Sequence, residues 1–493
     1  FYSWDSYEKG LPHCIKADKP NELPPEVTFS YTKEFGFGYT LFTRLDYVHL
    51  HWKDDDFFGY QFLNGVNPMM IRRCDTLPDN LPLTDNMVFL HGQCSLAEEI
   101  KNGNIFLCDY KVLDGIPTNV INGKKQYLMA PLVLLQKTEE NKIMPIAIQL
   151  KQKPAEDNPI FFPTDSEYDW LLAKIFVRSA DFNVHQLNAH LLRTHLLAEV
   201  FAVSLLRNVP MVHPLYKLLV PHTRYTLYIN VLARLRLISP DGVFNHVSNH
   251  LCKGMSEILR RSLSSMTYTS LCIPDDIAER GLENVPNFYY KDDGIEIWKT
   301  IHRFVKGIIS FYYRTNSDIE NDPELQKWIK EIFEYGFLSL TSTGIPQKFT
   351  TVDELIKFVT MVIFTGSAQH AALSIGQYDY ASWMPNTPIS LQLPPPTKKG
   401  DADEDTMLAT FPDINTTVKG MDTMFLLSQQ STDFVPLGQY PEEHFTEDFP
   451  HKKIEEFQRE LKALSNLINA RNKTLEVPYT YLDPMKVENS VSI

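Results

Sequence analysis

Five of the fifteen histidines fall in one stretch as His185, His190, His195, His213 and His222, and the first three stand five residues apart. Imidazole nitrogens bind transition metals when neutral and serve as acids or bases when they titrate. On a regular α-helix a step of five residues turns the side chain by about 140°, so histidines at that spacing point apart. A π-turn brings them to one face, and π-turns gather at functional sites. Leu191, Leu192, Leu196, Leu197 and Val200 surround the rings, which predicts burial, and a buried imidazole must be hydrogen-bonded or ligated. Two readings follow: core histidines satisfied by their neighbours, or ligands of a metal. His213 and His222, beside Pro214 and Pro221, read as structural. Neither a His-Glu-x-x-His helix nor a Glu-x-x-His pair accompanies the run, which disfavours a zinc hydrolase and a di-iron bundle.

A second neutral polar cluster, Ser367, Gln369, His370, Ser374 and Gln377, lies in the stretch Phe358 to Gln377, which carries no Asp, Glu, Lys or Arg. The length suits a membrane span, yet the stretch holds too many polar groups for hydrocarbon. It predicts a helix buried in a large core. His370 and Ser374, four apart, share a face of that helix and add a third imidazole and a weak or water-mediated fourth contact. Three neutral imidazoles with open positions suit a redox-active transition metal that must also bind a small molecule.

The elements that position these residues are mostly helical. Tyr168 to Arg207 and Leu215 to Leu237 are rich in Leu, Ala and Val, and Thr351-x-x-Glu354 is a capping box opening the uncharged run. Ile454, Phe457, Leu461, Leu464, Leu467 and Ile468 recur at helical steps and predict an amphipathic helix near the end. Strand-like pieces, Asn104 to Tyr110, Tyr127 to Leu135 and Met144 to Leu150, cluster in the first third. The fold class is mainly α: one large helical domain over residues 1–493, with a small antiparallel β subdomain toward the N-terminus. There is no repeat or low-complexity linker, and the Pro394 to Pro396 turn with its acidic sequel reads as a surface loop.

Composition limits the function further. With 61 acidic against 47 basic residues, net charge −14, a nucleic-acid binder relying on phosphate contacts is excluded. Six cysteines without a CxxC or regular spacing read as reduced thiols, which together with the lack of a signal-peptide pattern points to a cytoplasmic protein.

Taken together, the histidine spacing, Trp170 to Lys174, Arg178-Ser179, the Gly366 to Gln377 run, Trp383 to Asn386, the triple proline and the terminal Glu488 to Ile493 resemble the animal lipoxygenases over the whole chain. The resemblance implies one non-haem iron (Fe2+/Fe3+) held by His190, His195, His370 and the main-chain carboxylate of Ile493. Ser374 stands where the family usually has Asn or His, so a water bridge or five-coordinate iron is implied. Gln186 and Gln377 match glutamines beside the iron. The implied reaction is hydrogen-atom abstraction from the bis-allylic carbon of a polyunsaturated fatty acid such as arachidonate, followed by O2 addition to give a hydroperoxide. Leu191, Ile229 and Leu237 match aliphatic residues that clamp the pentadiene, and Ala233 matches the position where Ala accompanies S products.

Phe182, Val247, Ser248 and Thr423 match the pocket base, whose small residues imply a deep pocket. Phe106 and Tyr110 resemble an aromatic plug at the 5-lipoxygenase entrance. The position attacked stays open. Arg234, His246 or Arg72 are candidate contacts for the substrate carboxylate. The family's N-terminal β-sandwich, which binds calcium and membrane, has no counterpart in this sequence, so peripheral membrane contact is expected of a full-length protein. The sequence is also short between Tyr31 and Trp52. Two alternatives accompany the dioxygenase: a hydroperoxide isomerase on the same fold and a non-catalytic lipid-binding protein.

Overall fold

The structure is a computed structural model, and it describes residues 2–30, 45–89, 94–248, 252–430 and 433–493. The shortening between Tyr31 and Trp52 falls largely outside them.

The antiparallel subdomain is a five-stranded meander, with β1 (Arg72–Arg73), β2 (Ile105–Asp109), β3 (Leu132–Lys137), β4 (Ile143–Gln149) and β5 (Ile160–Phe161) side by side in chain order. The three central strands overlap the three strand-like pieces of the sequence, although β3 begins later than Tyr127. On β2 the period of two puts Phe106 and Cys108 on the face that joins the main core, with Tyr110 following them, while Ile105 and Leu107 face a separate small cluster.

Helix α1, Glu167–Asn208, is 42 residues long and runs through the centre of the molecule. Ser166 caps it by accepting from the Asp169 amide. Its middle third, His185–Leu196, is π-helical, the local winding the five-residue spacing predicts. Leu192, Leu197 and Val200 are fully buried, each contributing about 1.5–3 kcal/mol of transfer free energy.

The stretch read as one helix from Leu215 to Leu237 is broken. Pro221 lies in a short 3-10 turn and Tyr225 takes a left-handed φ of 66°. The chain then re-enters helix as α2 (Thr226–Ala233) and finishes in a second π-segment, Arg234–Ile238. Pro221 lacks the amide a continuous helix needs.

The capping box opens the uncharged helix as read: Thr351 accepts from Glu354 N–H while Glu354 accepts from the Thr351 amide. That helix, α3, begins as Val352–Phe364 and passes through a π-segment, Thr365–Gln369, immediately before His370. Both α1 and the helical run containing α3 are long and apolar enough to cross a membrane, but their apolar windows are 78% and 89% buried inside this fold. The polar residues of α3 are satisfied internally. Thr360 and Ser367 hydroxyls donate back to the carbonyls of Ile356 and Ile363, and Gln369 accepts from Tyr290.

Two later helices complete the frame, α4 (Ile414–Leu427) and α5 (Asp448–Asn472). On α5, Phe457, Leu461 and Ile468 are buried as the periodicity predicts, whereas Leu467 is 69% exposed, since it lies about 100° from Ile468.

Candidate metal centre and substrate cavity

The π-segment of α1 turns His190 and His195 onto one side, and α3 brings His370 against them. The three Nε2 atoms form a nearly equilateral triangle, each 3.2 Å from the other two. All three residues are buried, and this is the one cluster of three or more His, Cys, Asp or Glu among the described residues whose ligand atoms converge. Burial favours the neutral form of two of them: His195 is pushed down to about 4, and His190 falls well below the ordinary histidine value, with its imidazole neighbours adding to the effect. Three imidazole nitrogens aimed at one point, with no carboxylate side chain among them, form a donor set that fits a transition metal.

The other two histidines of the run do different work. His213 caps the helix Pro214–Leu219 through Nδ1 and pairs with Asp322 at 2.9 Å. His222 donates from Nδ1 to the Asn489 carbonyl at 2.8 Å and meets the Tyr440 hydroxyl through Nε2 at 3.1 Å. His185, the first of the run, donates from Nε2 to the Leu373 carbonyl at 2.7 Å and so braces α1 against the helix carrying His370.

The contact with Asn489 belongs to a buried terminal segment. Ser490, Val491, Ser492 and Ile493 are 0–6% exposed, although the segment forms no helix or strand. Its backbone is satisfied one group at a time: Thr226 donates to the Val491 carbonyl, and the Asn489 amide donates to Val435. The Ser490 hydroxyl adds a donation to Arg224. The main chain of Ile493 comes within hydrogen-bonding reach of His195, and Ile493 shares a cavity wall with His190 and His195.

Ser374 lies on the same helix as His370, but its hydroxyl donates to the Leu427 carbonyl at 3.1 Å. Gln377 donates to that carbonyl as well, at 3.2 Å, and accepts from Gln186 Nε2 at 2.7 Å. The two glutamines therefore tie α1, the His370 helix and the end of α4 together beside the triad.

A cavity of about 390 Å³ opens beside the triad, with His190 and His195 in its wall. Leu191, Ile229, Ala233, Leu237, Thr423 and Gln186 line it, as the sequence suggested. Leu232, Ile238, Val243, Phe244, Leu426 and Leu427 also line it and were not foreseen. Most of these flank the foreseen residues at helical steps of three or four, which is the signal that could have found them.

Several expected wall residues lie elsewhere. Phe182 is packed in the core, and Val247 and Ser248 are buried behind Phe244, whose carbonyl accepts from the Ser248 hydroxyl. Phe106 and Tyr110 form no entrance plug. The β2 alternation buries Phe106, and Tyr110 donates to Asp181 at 2.7 Å in the interior. Arg234 is not available for a substrate carboxylate, since its guanidinium grips Glu199 through two bonds of 2.8 Å. His246 and Arg72 are exposed and do not line the cavity. Among the described residues, the exposed ones lining the cavity are Arg236 and Leu426, which mark its mouth.

The lipoxygenase family model matches residues 32–480. The chain belongs to the lipoxygenase family. The rat polyunsaturated fatty acid lipoxygenase ALOX15B is 45% identical over 528 aligned positions, spanning all of this chain and 78% of the relative. The rat hydroperoxide isomerase ALOXE3 is 47% identical over 450 positions, 91% of this lipoxygenase and 63% of that protein. Among solved structures, a calcium-dependent 11R-lipoxygenase superposes with a TM-score of 0.95 at 35% identity, covering all of this chain and 78% of that one. A lipoxygenase crystallised anaerobically in complex with arachidonate gives 0.94 at 33% identity, covering all of this chain and 79% of that one. This lipoxygenase is an oxidoreductase with the helical catalytic domain of its family.

Proposed function

We propose that this lipoxygenase is an iron-dependent dioxygenase that converts a polyunsaturated fatty acid such as arachidonate to an S-hydroperoxide. The observation carrying the reading is the make-up of the cavity. Its volume of about 390 Å³ is within the range of roughly 300–1,000 Å³ typical of small-molecule sites. Among the described residues, its lining contains no Asp, Glu, Lys, Cys or Tyr side chain. The one charged side chain among these lining residues is Arg236 at the mouth, so apart from His190 and His195 they offer no general base. An apolar cavity walled at one end by the buried imidazoles of His190 and His195 suits removal of a hydrogen atom from a hydrocarbon.

His190, His195, His370 and the Ile493 carboxylate would hold the iron, with Ser374 as a further oxygen beside them. Iron bound there supplies a one-electron acceptor for the hydrogen-abstraction step. The remaining work falls to the chain itself. Leu191, Ile229 and Leu237 hold an extended acyl chain so that one methylene faces the triad. The Ala233 methyl narrows the wall beside it, leaving oxygen one face of the pentadienyl radical. The hydrogen leaves carbon as an electron, which the iron would accept, and a proton, which a water-derived base beside it would accept; both return to the peroxyl radical formed with O2, so fatty acid plus O2 equals hydroperoxide and both oxygen atoms end in the product.

Arg236, rather than the paired Arg234, is the basic group for the substrate carboxylate. Exposed at the mouth, it is suited to a carboxylate left outside the cavity. Replacing Arg236 by Ala is expected to raise KM for the free acid by about fivefold, corresponding to roughly 1 kcal/mol for an exposed ion pair, and to leave KM for the methyl ester unchanged. Steady-state kinetics on the two substrates check it.

The functional reading itself is tested by incubating the protein with arachidonate and oxygen and resolving the products on a chiral column. A conjugated-diene hydroperoxide of S configuration is expected. Consumption of added hydroperoxide without diene formation would favour the isomerase activity for which one relative is named, and an R product would contradict the role given to Ala233.

A further inference from the structure

The atoms around Asn230 have fixed polarity, and they determine which nitrogen of His195 carries its proton. Asn230 Nδ2 lies 2.7 Å from the His195 carbonyl and 2.8 Å from Glu199 Oε2. Both partners accept, so the amide's two protons are committed to them. The other end, Oδ1, then faces His195 Nδ1 at 2.9 Å. A carbonyl oxygen only accepts, so Nδ1 carries the hydrogen and Nε2 is left with its lone pair, directed at the Nε2 atoms of His190 and His370.

Asn230 is kept from flipping by Glu199, which is 1% exposed. Glu199 Oε1 accepts from the Ile15 amide at 2.9 Å and from Arg234 Nη2 at 2.8 Å, while Oε2 accepts from Arg234 Nη1 at 2.8 Å. A reversed Asn230 amide would set its oxygen against that carboxylate and against the His195 carbonyl. Glu199 is one helical turn beyond His195, and Asn230 and Arg234 are one turn apart, so the helical backbones fix all four.

We infer that Arg234, Glu199 and Asn230 form a positioning relay that locks His195 in its metal-binding tautomer. The relay rests on the reading of the triad as a metal centre. It also explains why a buried arginine and glutamate stand beside an otherwise apolar cavity: the pair polarises the amide that orients a ligand.

The test is the rate at which iron leaves the purified holoenzyme into excess chelator, together with the melting midpoint of the same protein after iron removal. Asn230→Leu keeps approximate volume and loses the acceptor; iron release should be about 10–100-fold faster, the usual cost of losing an outer partner of a ligand. Asn230→Asp should behave similarly, because its oxygens face Glu199 and the His195 carbonyl without protons to offer. The double variant Asn230→Asp with Glu199→Gln restores a donor opposite the new carboxylate and should return release to within about threefold of wild type, a coupling expected only of interacting partners.

Wild-type release rates in Asn230→Leu would overturn the relay. So would a double variant no better than the single one, or iron loss that merely follows a lowered melting midpoint. If the wild-type protein held no iron, the metal reading itself would fall; iron-loaded wild type with indifferent variants would sink the relay alone.

Discussion

Appending one residue after Ile493 is expected to strip the protein of iron and to lower activity by more than about a hundredfold, beyond what loss of an outer-shell partner costs. Ile493 is buried, and the residues before it are held by Thr226, His222 and Arg224. The main chain cannot slide back to make room. Extension converts the proposed carboxylate ligand to a neutral amide, a weaker donor for a hard cation. Deleting Ile493 fails for a different reason: consecutive Cα atoms are about 3.8 Å apart, so the new terminus stops that far short of the triad. Ile493→Val keeps the carboxylate and the reach, and should keep iron. Metal analysis of the three purified variants, with activity on arachidonate, checks the prediction; full iron in the extended protein would remove Ile493 from the ligand set.

The second large effect separates the histidines. Replacing His190, His195 or His370 by Leu should abolish stoichiometric iron and lower activity by more than about a hundredfold. Each converges on the same point as the other two. His213→Gln should retain iron, because His213 serves Asp322 and a helix N-terminus instead. Metal content and oxygen uptake of the four variants distinguish the roles. Iron loss in His213→Gln equal to that in His195→Leu would mean that the five-histidine run acts as one structural unit.

Much of this centre was legible in the sequence because helical spacing is strong geometric information. Two histidines five residues apart on an apolar helix demanded a π-turn, and His185–Leu196 is π-helical. The uncharged stretch demanded burial, and its capping box fixed where α3 starts. What sequence could not supply was long-range pairing. Asn230 and Glu199 lie 31 residues apart, and only the crossing of α1 and α2 shows that one orients His195 and the other orients it. The same contact removes Arg234 from the substrate, a role its charge alone had suggested.

Phe106 and Tyr110 teach a related point. Their match to an entrance motif concerned residue type, whereas the β2 alternation and the Asp181 hydrogen bond determined where the rings lie. Pro221 and Tyr225 broke a helix that composition alone made continuous. In the cavity, helical neighbours of the foreseen residues were within reach of sequence reasoning. Arg236 was not, because its exposure at the mouth depends on how Arg234–Ile238 winds.

The central claim is that one iron on the buried triad drives oxygenation of a fatty acid. It is tested most directly by measuring conjugated-diene formation from arachidonate across preparations of graded iron content, with oxygen uptake recorded alongside. The account predicts a rate that rises in proportion to iron, reaches its maximum at one iron per chain, and consumes one O2 per diene formed. Diene formation independent of iron, or a fully iron-loaded protein that forms no diene and takes up no oxygen, would contradict it.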